Sequence, residues 1–290
     1  MSLLGEIIRF DGVGKKDVYN PTAPFVINGT RYMAGRVEDR ESFWQDHDYD
    51  PQTMFFVEDG KNWIPAENAP IFPWEDPFVT FINDELIFGG IEIFGEPEQR
   101  KFKTLFFKGK NPCDLEKFAS GPDMMKDIRL VQLSDGRIGV FTRPQGGVYK
   151  KGRIGFIVIN SLNDLTEENI LKAKIIRNEL KENYWEGASS AEALENDEIG
   201  VLAHIAYIEK GGVMCYQATS FIFNPYTLQV ENFKIIAIRD DFPETPAKNS
   251  FTKNVVFPGG REKIEDDKHC VYFGLSDTSS GVKTIENPYE

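Results

Sequence analysis

The feature of this sequence that most constrains its fold is a hairpin pattern that recurs five times along 290 residues. Each copy has two runs of β-forming residues around a short polar turn. In the first copy, Asn28 and Gly29 separate Phe25–Ile27 from residues 31–37, and such a pair is typical of a type I′ turn, which needs positive φ at both central positions. The next three hairpins are 78–82 with 86–88, 128–133 with 138–143, and 199–208 with 213–217. In the fifth, 255–257 with 270–274, we expect a long charged turn between the two strands.

The spacing of these hairpins indicates the architecture. Their first strands begin at residues 25, 78, 128, 199 and 255. Repeats of roughly 40–50 residues with four short strands each are typical of propeller blades. The sequence therefore predicts an all-β fold, a five-bladed β-propeller that occupies residues 1–290 as a single domain. We assign the longest interval to residues 162–182, where Thr166 is expected to cap a short helix before residues 174–177 resume as a strand. Spacing alone leaves a pair of β-sandwiches open.

Composition excludes several classes of function. The chain has 33 Lys and Arg against 46 Asp and Glu, a net charge of -13, which argues against nucleic acid as a general partner. No apolar run approaches the roughly 18 residues of a membrane span, and Glu6 and Arg9 interrupt the N-terminal segment, so neither a membrane partner nor a secretory signal is expected. Three cysteines without a CxxC pair indicate a reducing compartment. We expect a cytoplasmic protein, and a homo-oligomer remains open.

Polar residues at the ends of the innermost propeller strands should meet at the central axis, and Asp76 stands out among them. Pro77 follows it, which predicts an extended backbone at Asp76. Trp74 and Phe78 flank it, so we expect desolvation to raise the pKa of Asp76, as a general acid requires. Glu75 alternates with Asp76 along the strand and is expected to point the other way.

His204 is the other candidate in an unusual setting, since it lies inside an apolar run. A buried histidine most often fills a structural position, but here Arg and Lys candidates share the same end of the hairpins. His47 and His269 sit among charges and leave no set of metal ligands, so no metal site is predicted. The chain has no GxGxxG or P-loop, which argues against dehydrogenases and kinases.

Eight short segments, in order across nearly the whole chain, resemble a known family. They resemble the five-bladed propeller mannoside phosphorylases, and most closely the β-1,2-mannan phosphorylases and GDP-mannose-dependent β-1,2-mannosyltransferases. None of the segments is specific alone, and the ordered set carries the resemblance. The segments are Asn20-Pro21 and Arg143-Pro144 together with residues 34–38, 75–77, 185–190, 200–204, 255–260 and 272–277.

The resemblance implies reversible, inverting phosphorolysis of β-1,2-linked mannosides to α-mannose 1-phosphate, with inorganic phosphate as co-substrate and no other cofactor. It makes Asp76 the catalytic acid. It implies mannose contacts for Asn20, Arg36 and Asp277 and phosphate contacts for Arg143 and His204, and we add Glu75 and Tyr207 as substrate contacts and Lys248 as a phosphate contact. In the better-studied phosphorylases a Lys follows the Trp that corresponds to Trp185, whereas Glu186 follows here, so Lys248 or Lys253 is expected to substitute.

The chemistry supports a phosphorylase independently. An inverting hydrolase needs a second carboxylate to activate water, with the pair roughly 6.5–9.5 Å apart, whereas phosphate needs cations to hold it. Arg143 is the best single anchor because its planar fork can bind phosphate oxygens bidentately. Where related five-bladed hydrolases carry an Asp before a Pro, this chain has Asn20, and an amide cannot deprotonate water. Three alternatives stay open: a GDP-mannose-dependent mannosyltransferase, a hydrolase with Glu186 or Asp39 as base, and a noncatalytic sugar-binding propeller.

Overall fold

The computed structural model describes residues 4–177, 180–265 and 267–290 and consists almost entirely of antiparallel strands. The strands are β1 (Glu6–Ile7), β2 (Arg9–Phe10), β3 (Asp17–Tyr19), β4 (Phe25–Ile27), β5 (Thr30–Glu38), β6 (Gln52–Asp59), β7 (Asn62–Pro65), β8 (Trp74–Ile82), β9 (Glu85–Phe94), β10 (Lys101–Gly109), β11 (Glu116–Ser120), β12 (Arg129–Gln132), β13 (Ile138–Thr142), β14 (Gly155–Ile159), β15 (Lys174–Ile175), β16 (Tyr184–Ala193), β17 (Ile199–Ile208), β18 (Met214–Asn224), β19 (Gln229–Ala237), β20 (Val256–Glu265), β21 (Lys268–Leu275) and β22 (Ser279–Glu286). The helical segments are α1 (Glu167–Ile170) and the 3-10 turns Pro97–Gln99, Gly147–Tyr149, Leu162–Asp164, Glu195–Asp197 and Arg239–Asp241.

The strands form five sheets, so the predicted all-β, five-bladed β-propeller is confirmed. The first sheet has the order β2-β7-β6-β5-β3, with β4 also paired to β5. The next three sheets are β8 to β11, β12 to β15 and β16 to β19, each in chain order. The fifth sheet contains β20, β21 and β22 and is completed by β1, where Glu6 pairs with Val282. Backbone hydrogen bonds between the two ends of the chain therefore close the ring.

Two of the tight hairpin turns form as their residue types predict. Asn28 and Gly29 have φ of 50° and 80°, and Ile27 pairs with Thr30 across them. Asn83 and Asp84 have φ of 51° and 62° between β8 and β9. Two positive φ values in a two-residue loop are the mark of a type I′ turn, whose twist matches that of the flanking strands.

The assignment of the longest interval was wrong. The fourth predicted hairpin is β17 with β18, the second and third strands of its sheet, because β16 precedes it. The first strands of the second, third and fourth sheets begin at Trp74, Arg129 and Tyr184, equally spaced, and the extra length follows Tyr184. The predicted helix is present, with Thr166 accepting a hydrogen bond from the Asn169 amide, but it does not lengthen its blade. The charged turn expected in the fifth hairpin is mostly strand, since β20 runs to Glu265.

The hydrophobic core consists of five clusters, each of which joins two neighbouring sheets. Phe55 of the first sheet packs on Phe88 of the second with ring centroids 4.6 Å apart, and Phe141 of the third packs on Phe223 of the fourth at 5.4 Å. Burying an aromatic or aliphatic side chain of this size contributes about 1.5–3 kcal/mol. These interfaces hold the blades side by side and so fix the positions of the inner strands. Within the described residues, the helices are too short to cross a membrane.

Candidate active site

All five blades contribute residues, from strands or from the segments next to them, to one polar cavity of about 110 Å³. Residues from the first, second and fifth sheets form one group, which is Asn20, Arg36, Asp76 and Asp277. Residues from the third and fourth sheets form the other, which is Lys126, Asp127, Arg143, His204 and Tyr216. The cavity thus brings together the predicted acid and the predicted phosphate anchor, Asp76 and Arg143.

Four residues of the cavity share an uncommon backbone conformation. Asn20 and Asp76 both have φ of 48°, Asp127 has φ of 58° and Asp277 has φ of 56°. Asn and Asp tolerate the left-handed region better than other non-glycine residues, which explains their choice at these positions. Such residues cluster at functional sites when the surrounding structure holds them in place. The extended backbone expected for Asp76 was therefore wrong, and the cause is a bulge in β8 between Glu75 and Phe78.

Arg36 organises the acidic side of the cavity. Its Nη1 lies 3.2 Å from Asp76 Oδ1 and its Nη2 lies 3.1 Å from Glu75 Oε1. Asn20 Nδ2 donates a second hydrogen bond to Asp76 Oδ1 over 2.7 Å. Glu75 was expected to point away from Asp76, but the bulge breaks the alternation and both carboxylates contact the same guanidinium. Glu75 does not itself line the cavity and supports it through Arg36.

A buried polar network beneath Arg36 was not predicted from the sequence. Arg36 Nη2 donates to the Tyr49 hydroxyl over 2.7 Å, and that hydroxyl donates to Glu75. Glu38 Oε2 accepts from Arg36 Nη2 over 3.0 Å, and Glu38 Oε1 accepts from the Tyr19 hydroxyl. Because every charged group in the network has a partner, Arg36 is fixed in position and orientation.

Lys248 belongs to this network rather than to the wall of the cavity. Its Nζ forms an ion pair with Glu38 Oε1. Burial lowers the pKa of Lys248 to about 8, with Arg36 acting in the same direction. Lys248, predicted as a phosphate contact, therefore does not line the cavity and contacts Glu38, one step behind Arg36. Lys253, the other lysine considered for that role, is exposed and does not line the cavity.

The pKa of Asp76 differs in direction from the expected one. Burial acts to raise the pKa of Asp76, but Arg36, Lys126 and the hydrogen bond from Asn20 outweigh it, so the pKa lies below its ordinary value. The aromatic neighbours that suggested an elevated pKa are present, yet cations dominate the electrostatics. A dianionic ligand beside Lys126 would oppose these cations and raise the pKa of Asp76.

Arg143 organises the basic side. Its Nη1 donates to Asp127 Oδ2 over 2.6 Å, and its Nη2 donates to the backbone carbonyl of Lys151 over 2.9 Å. His204 Nε2 lies 3.8 Å from Asp127 Oδ2 and has no hydrogen-bond partner among the described residues, although it is buried. Lys126, beside them, is held in its charged form because Asp76 and Asp127 outweigh the effect of burial and raise its pKa.

The charge states on this side follow from burial and from the ion pair. Burial, with Arg143 and other nearby cations acting in the same direction, lowers the pKa of His204 to about 3, although Asp127 opposes the shift, so the imidazole is neutral at physiological pH. Burial would raise the pKa of Asp127, but the guanidinium of Arg143, with Lys126 and Arg129 acting in the same direction, holds it well below the ordinary value. Lys126 and Arg143 are thus the cations that face the cavity here, and His204 contributes a neutral ring nitrogen.

The segment Trp185-Glu186-Gly187 contains the departure from the resembled family, at Glu186. Its glycine, Gly187, is required by the packing around Asp127 and His204. A Cβ atom on Gly187 would lie 2.4 Å from Asp127 Oδ2 and 2.7 Å from His204 Cε1. Only glycine therefore leaves room for this pair. Glu186 does not line the cavity, and its Oε2 lies 3.9 Å from Arg177 Nη1. The lysine that lines this part of the cavity is Lys126.

The structure leaves two further candidates outside the cavity. Tyr207, predicted as a substrate contact, stacks on Tyr184 at 4.7 Å between ring centroids and lines a different surface depression beside Cys215. Tyr207 lies on β17, as His204 does, but three residues further along, and side chains three apart on a strand point to opposite faces. Asp39, one of the two bases considered for a hydrolase, is exposed and does not line the cavity.

Lys126 and Asp127 were missed although a signal for them was present. They lead directly into the third hairpin, as Glu75 and Asp76 lead into the second. Arg143, which follows the third hairpin, was predicted, but the two residues that precede it were not. The position directly before a hairpin holds polar cavity residues in both blades and is the signal that indicates Lys126 and Asp127.

These features define a class of protein, a five-bladed β-propeller with a buried aspartate and a cluster of cations on one central cavity. The chain belongs to the family described as Protein of unknown function (DUF1861), which matches residues 2–290. No curated protein matches it in sequence.

Solved structures agree with this class. A mannose phosphorylase from Leishmania mexicana, solved in complex with a phosphate ion, matches with a TM-score of 0.92 and 33% identity, over 99% of this chain and 89% of its own. A GDP-Man-dependent mannosyltransferase from the same organism matches with a TM-score of 0.90 and 34% identity, over 99% and 90%. A β-1,2-mannobiose phosphorylase from Listeria innocua matches at 0.66 and 15% identity, over 94% and 91%, a likeness of fold alone. The resemblance to the five-bladed propeller mannoside phosphorylases and mannosyltransferases, stated from the sequence, is confirmed.

Proposed function

We propose that this protein is a mannoside phosphorylase that cleaves β-1,2-linked mannosides with inorganic phosphate and inverts the anomeric carbon. The observation that carries the proposal is the shared cavity, in which Asp76 faces the same space as Lys126 and Arg143. The similarity to a mannose phosphorylase at 33% identity over 99% of the chain supports the choice of sugar. Inorganic phosphate is the co-substrate, and the reaction needs no metal or organic cofactor.

In the proposed step, a phosphate oxygen forms a bond to the mannosyl C1 while the bond from C1 to the leaving oxygen breaks. Asp76 gives its proton to that oxygen, so the second sugar leaves as a neutral alcohol. Attack from the face opposite the leaving group converts the β-mannoside into α-mannose 1-phosphate. Asp76 regains a proton from solvent or from the next phosphate. In reverse, Asp76 accepts the proton of the acceptor hydroxyl and phosphate leaves.

The site favours phosphate over water as the nucleophile for electrostatic reasons. Lys126 and Arg143 supply fixed positive charge where the attacking phosphate would bind. Because these cations are already in position, they need no reorganisation during the reaction. Hydrolysis would leave these cations without a role. Of the carboxylates in the cavity, Asp76 is bound to Arg36 and Asp127 to Arg143, so Asp277 would have to act as the base of a hydrolase.

A product analysis tests the proposal. The protein is incubated with a β-1,2-mannobiose, with and without inorganic phosphate, and the products are followed by phosphorus NMR and by assay of free mannose. We expect one α-mannose 1-phosphate and one free mannose for each bond cleaved, and we expect cleavage only when phosphate is present. Release of two mannoses per disaccharide without phosphate would instead identify a hydrolase.

A GDP-mannose-dependent mannosyltransferase is the second candidate. The similarity to the Leishmania mexicana transferase, 34% identity over 99% of this chain, favours it about as strongly as the phosphorylase. The same preparation is therefore offered α-mannose 1-phosphate or GDP-mannose with a short mannoside acceptor. Release of inorganic phosphate identifies the phosphorylase, and release of GDP identifies the transferase.

A further inference from the structure

A second basic surface begins where the cavity ends. A groove of about 600 Å³ shares Lys126, Arg143 and Tyr216 with the cavity and continues along Lys150 and Lys151. Among the described residues that line it, four are Lys or Arg and none is a carboxylate. In a chain with a net charge of -13, such a concentration of positive charge on one concave surface is unexpected unless it serves an anion.

The loop that carries these lysines is tied to the phosphate anchor. Arg143 Nη2 donates to the Lys151 carbonyl over 2.9 Å, and the Gly146 amide donates to the Lys150 carbonyl over 2.6 Å. Gly152 follows with φ of 136°, and a Cβ atom there would lie 2.4 Å from Arg143 Nε. The backbone of the lysine loop therefore packs directly against the guanidinium, and its position relative to Arg143 is fixed.

Both lysines can present their ammonium groups to a ligand. Lys151 Nζ lies 4.4 Å from the centroid of the Trp185 ring, which supports it without neutralising its charge. Lys150 pairs with Glu182 over 2.6 Å, but both side chains are exposed, at 43% and 80%, and exposed pairs of this kind are weak and readily exchanged. Neutral mannosides would leave this charge unused.

We infer that the groove is a second phosphoryl site, which takes a phosphoryl group covalently linked to the one bound at Arg143, so that the two together accept a diphosphate. The inference rests on the proposed function only in taking Arg143 and Lys126 as the first phosphoryl site. The diphosphate can be inorganic, or it can belong to a nucleotide, and both present the same charged oxygens to Lys150 and Lys151.

Calorimetry with inorganic phosphate, inorganic pyrophosphate and GDP tests the inference on the complete protein. We expect pyrophosphate to bind at least ~10-fold more tightly than phosphate, since a charge-assisted hydrogen bond is worth about one decade in affinity. The double variant Lys150→Ala, Lys151→Ala should abolish this advantage and change phosphate affinity by less than ~2-fold, as expected for groups outside the first site. The control is Lys172→Ala, Lys174→Ala, which removes two exposed lysines of the same blade that do not line the groove and should keep the advantage.

Each outcome separates this inference from the proposed function. Equal affinities for phosphate and pyrophosphate, or an advantage that survives in the Lys150 and Lys151 variant, would overturn the second site even if phosphorolysis proceeds normally. A lysine-dependent advantage supports the site even if no phosphorolysis is found. GDP binding more tightly than pyrophosphate, with the same lysine dependence, assigns the diphosphate to a nucleotide, and weaker GDP binding assigns it to an inorganic ligand.

Discussion

Arg143 Nη1 donates to Asp127 Oδ2 over 2.6 Å, and both side chains are almost completely buried, so the candidate phosphate anchor already holds a carboxylate. The ion pair fixes the guanidinium but also occupies part of it. A phosphate ion must therefore use the remaining donors of Arg143 together with Lys126. Asp127 thus positions the anchor and limits how strongly it can bind an anion.

Removing the arginine alone should destabilise the fold. Arg143→Gln leaves the Asp127 carboxylate buried without its main partner, which costs about 3–5 kcal/mol of unfolding free energy. The double variant Asp127→Asn, Arg143→Gln replaces the ion pair by two neutral groups and should recover most of that loss. Denaturant unfolding of the two single variants and the double variant measures this. Additive losses in the double variant would show that the pair is not coupled.

Asp76→Asn tests the acid. Asparagine accepts the left-handed backbone at this position and keeps an oxygen for Asn20, so the fold should be retained. Loss of the proton donor should lower the rate on β-1,2-mannobiose by about 10²–10⁴-fold.

An activated substrate provides the control for this variant. The leaving group of a nitrophenyl mannoside is a stable phenolate, which needs little protonation. The Asp76→Asn variant should therefore retain most of the wild-type activity on this substrate. Equal losses on the disaccharide and on the activated substrate would contradict the assignment of Asp76 as the acid and would indicate a role in binding.

The fold was predictable because its signals are local. Asn28-Gly29 and Asn83-Asp84 prescribe tight turns through residue type, and their spacing indicates blades. The position of a hairpin within its blade is not a local property. The hairpin of β17 and β18 has the same local pattern as that of β8 and β9, although the first comprises the second and third strands of its sheet and the other the first and second. Only the pairing of β16 with β17 shows that the fourth hairpin lies one strand further from the axis.

The residues of the cavity were predictable in part, whereas their electrostatics were not. Asp76, Arg36 and Arg143 could be chosen because they stand at hairpin ends. The bulge at Asp76 depends on pairing with β9, and the partners of Arg36 come from residues as distant as Glu75. The direction of the pKa shift of Asp76 follows from these long-range contacts, so the sequence, which shows only its aromatic neighbours, indicates the opposite direction.

Lys126→Gln should weaken phosphate binding and shift the pH profile. Loss of one charge-assisted hydrogen bond should raise the phosphate dissociation constant by about 10–100-fold. Lys126 lowers the pKa of Asp76, so its removal raises that pKa, and the protonated acid persists to higher pH. The alkaline limb of kcat at saturating phosphate should therefore move upward. Lys253→Gln, an exposed lysine outside the cavity, is the control and should change neither quantity. An alkaline limb that stays in place in Lys126→Gln would show that Lys126 does not act on Asp76.

Asp277→Asn should stabilise the protein in a pH-dependent way. Burial raises the pKa of Asp277 from 3.8 to about 6, with Asp76 acting in the same direction and Arg36, Lys248 and Lys126 opposing it. The folded state therefore holds the proton more tightly than the unfolded chain, and the wild type loses stability as pH rises from about 4 through 6, by up to about 3 kcal/mol at about 1.4 kcal/mol per pKa unit.

Asparagine at position 277 has no proton to lose and escapes this cost. The unfolding free energy of Asp277→Asn relative to wild type should therefore increase between pH 4 and pH 7 and then stay constant, as measured by denaturant unfolding at each pH. Asp59→Asn, which removes an exposed carboxylate, controls for the change in net charge and should show no such increase. A difference for Asp277→Asn that is constant across this range would mean that the carboxyl group is already ionised without penalty in the folded protein.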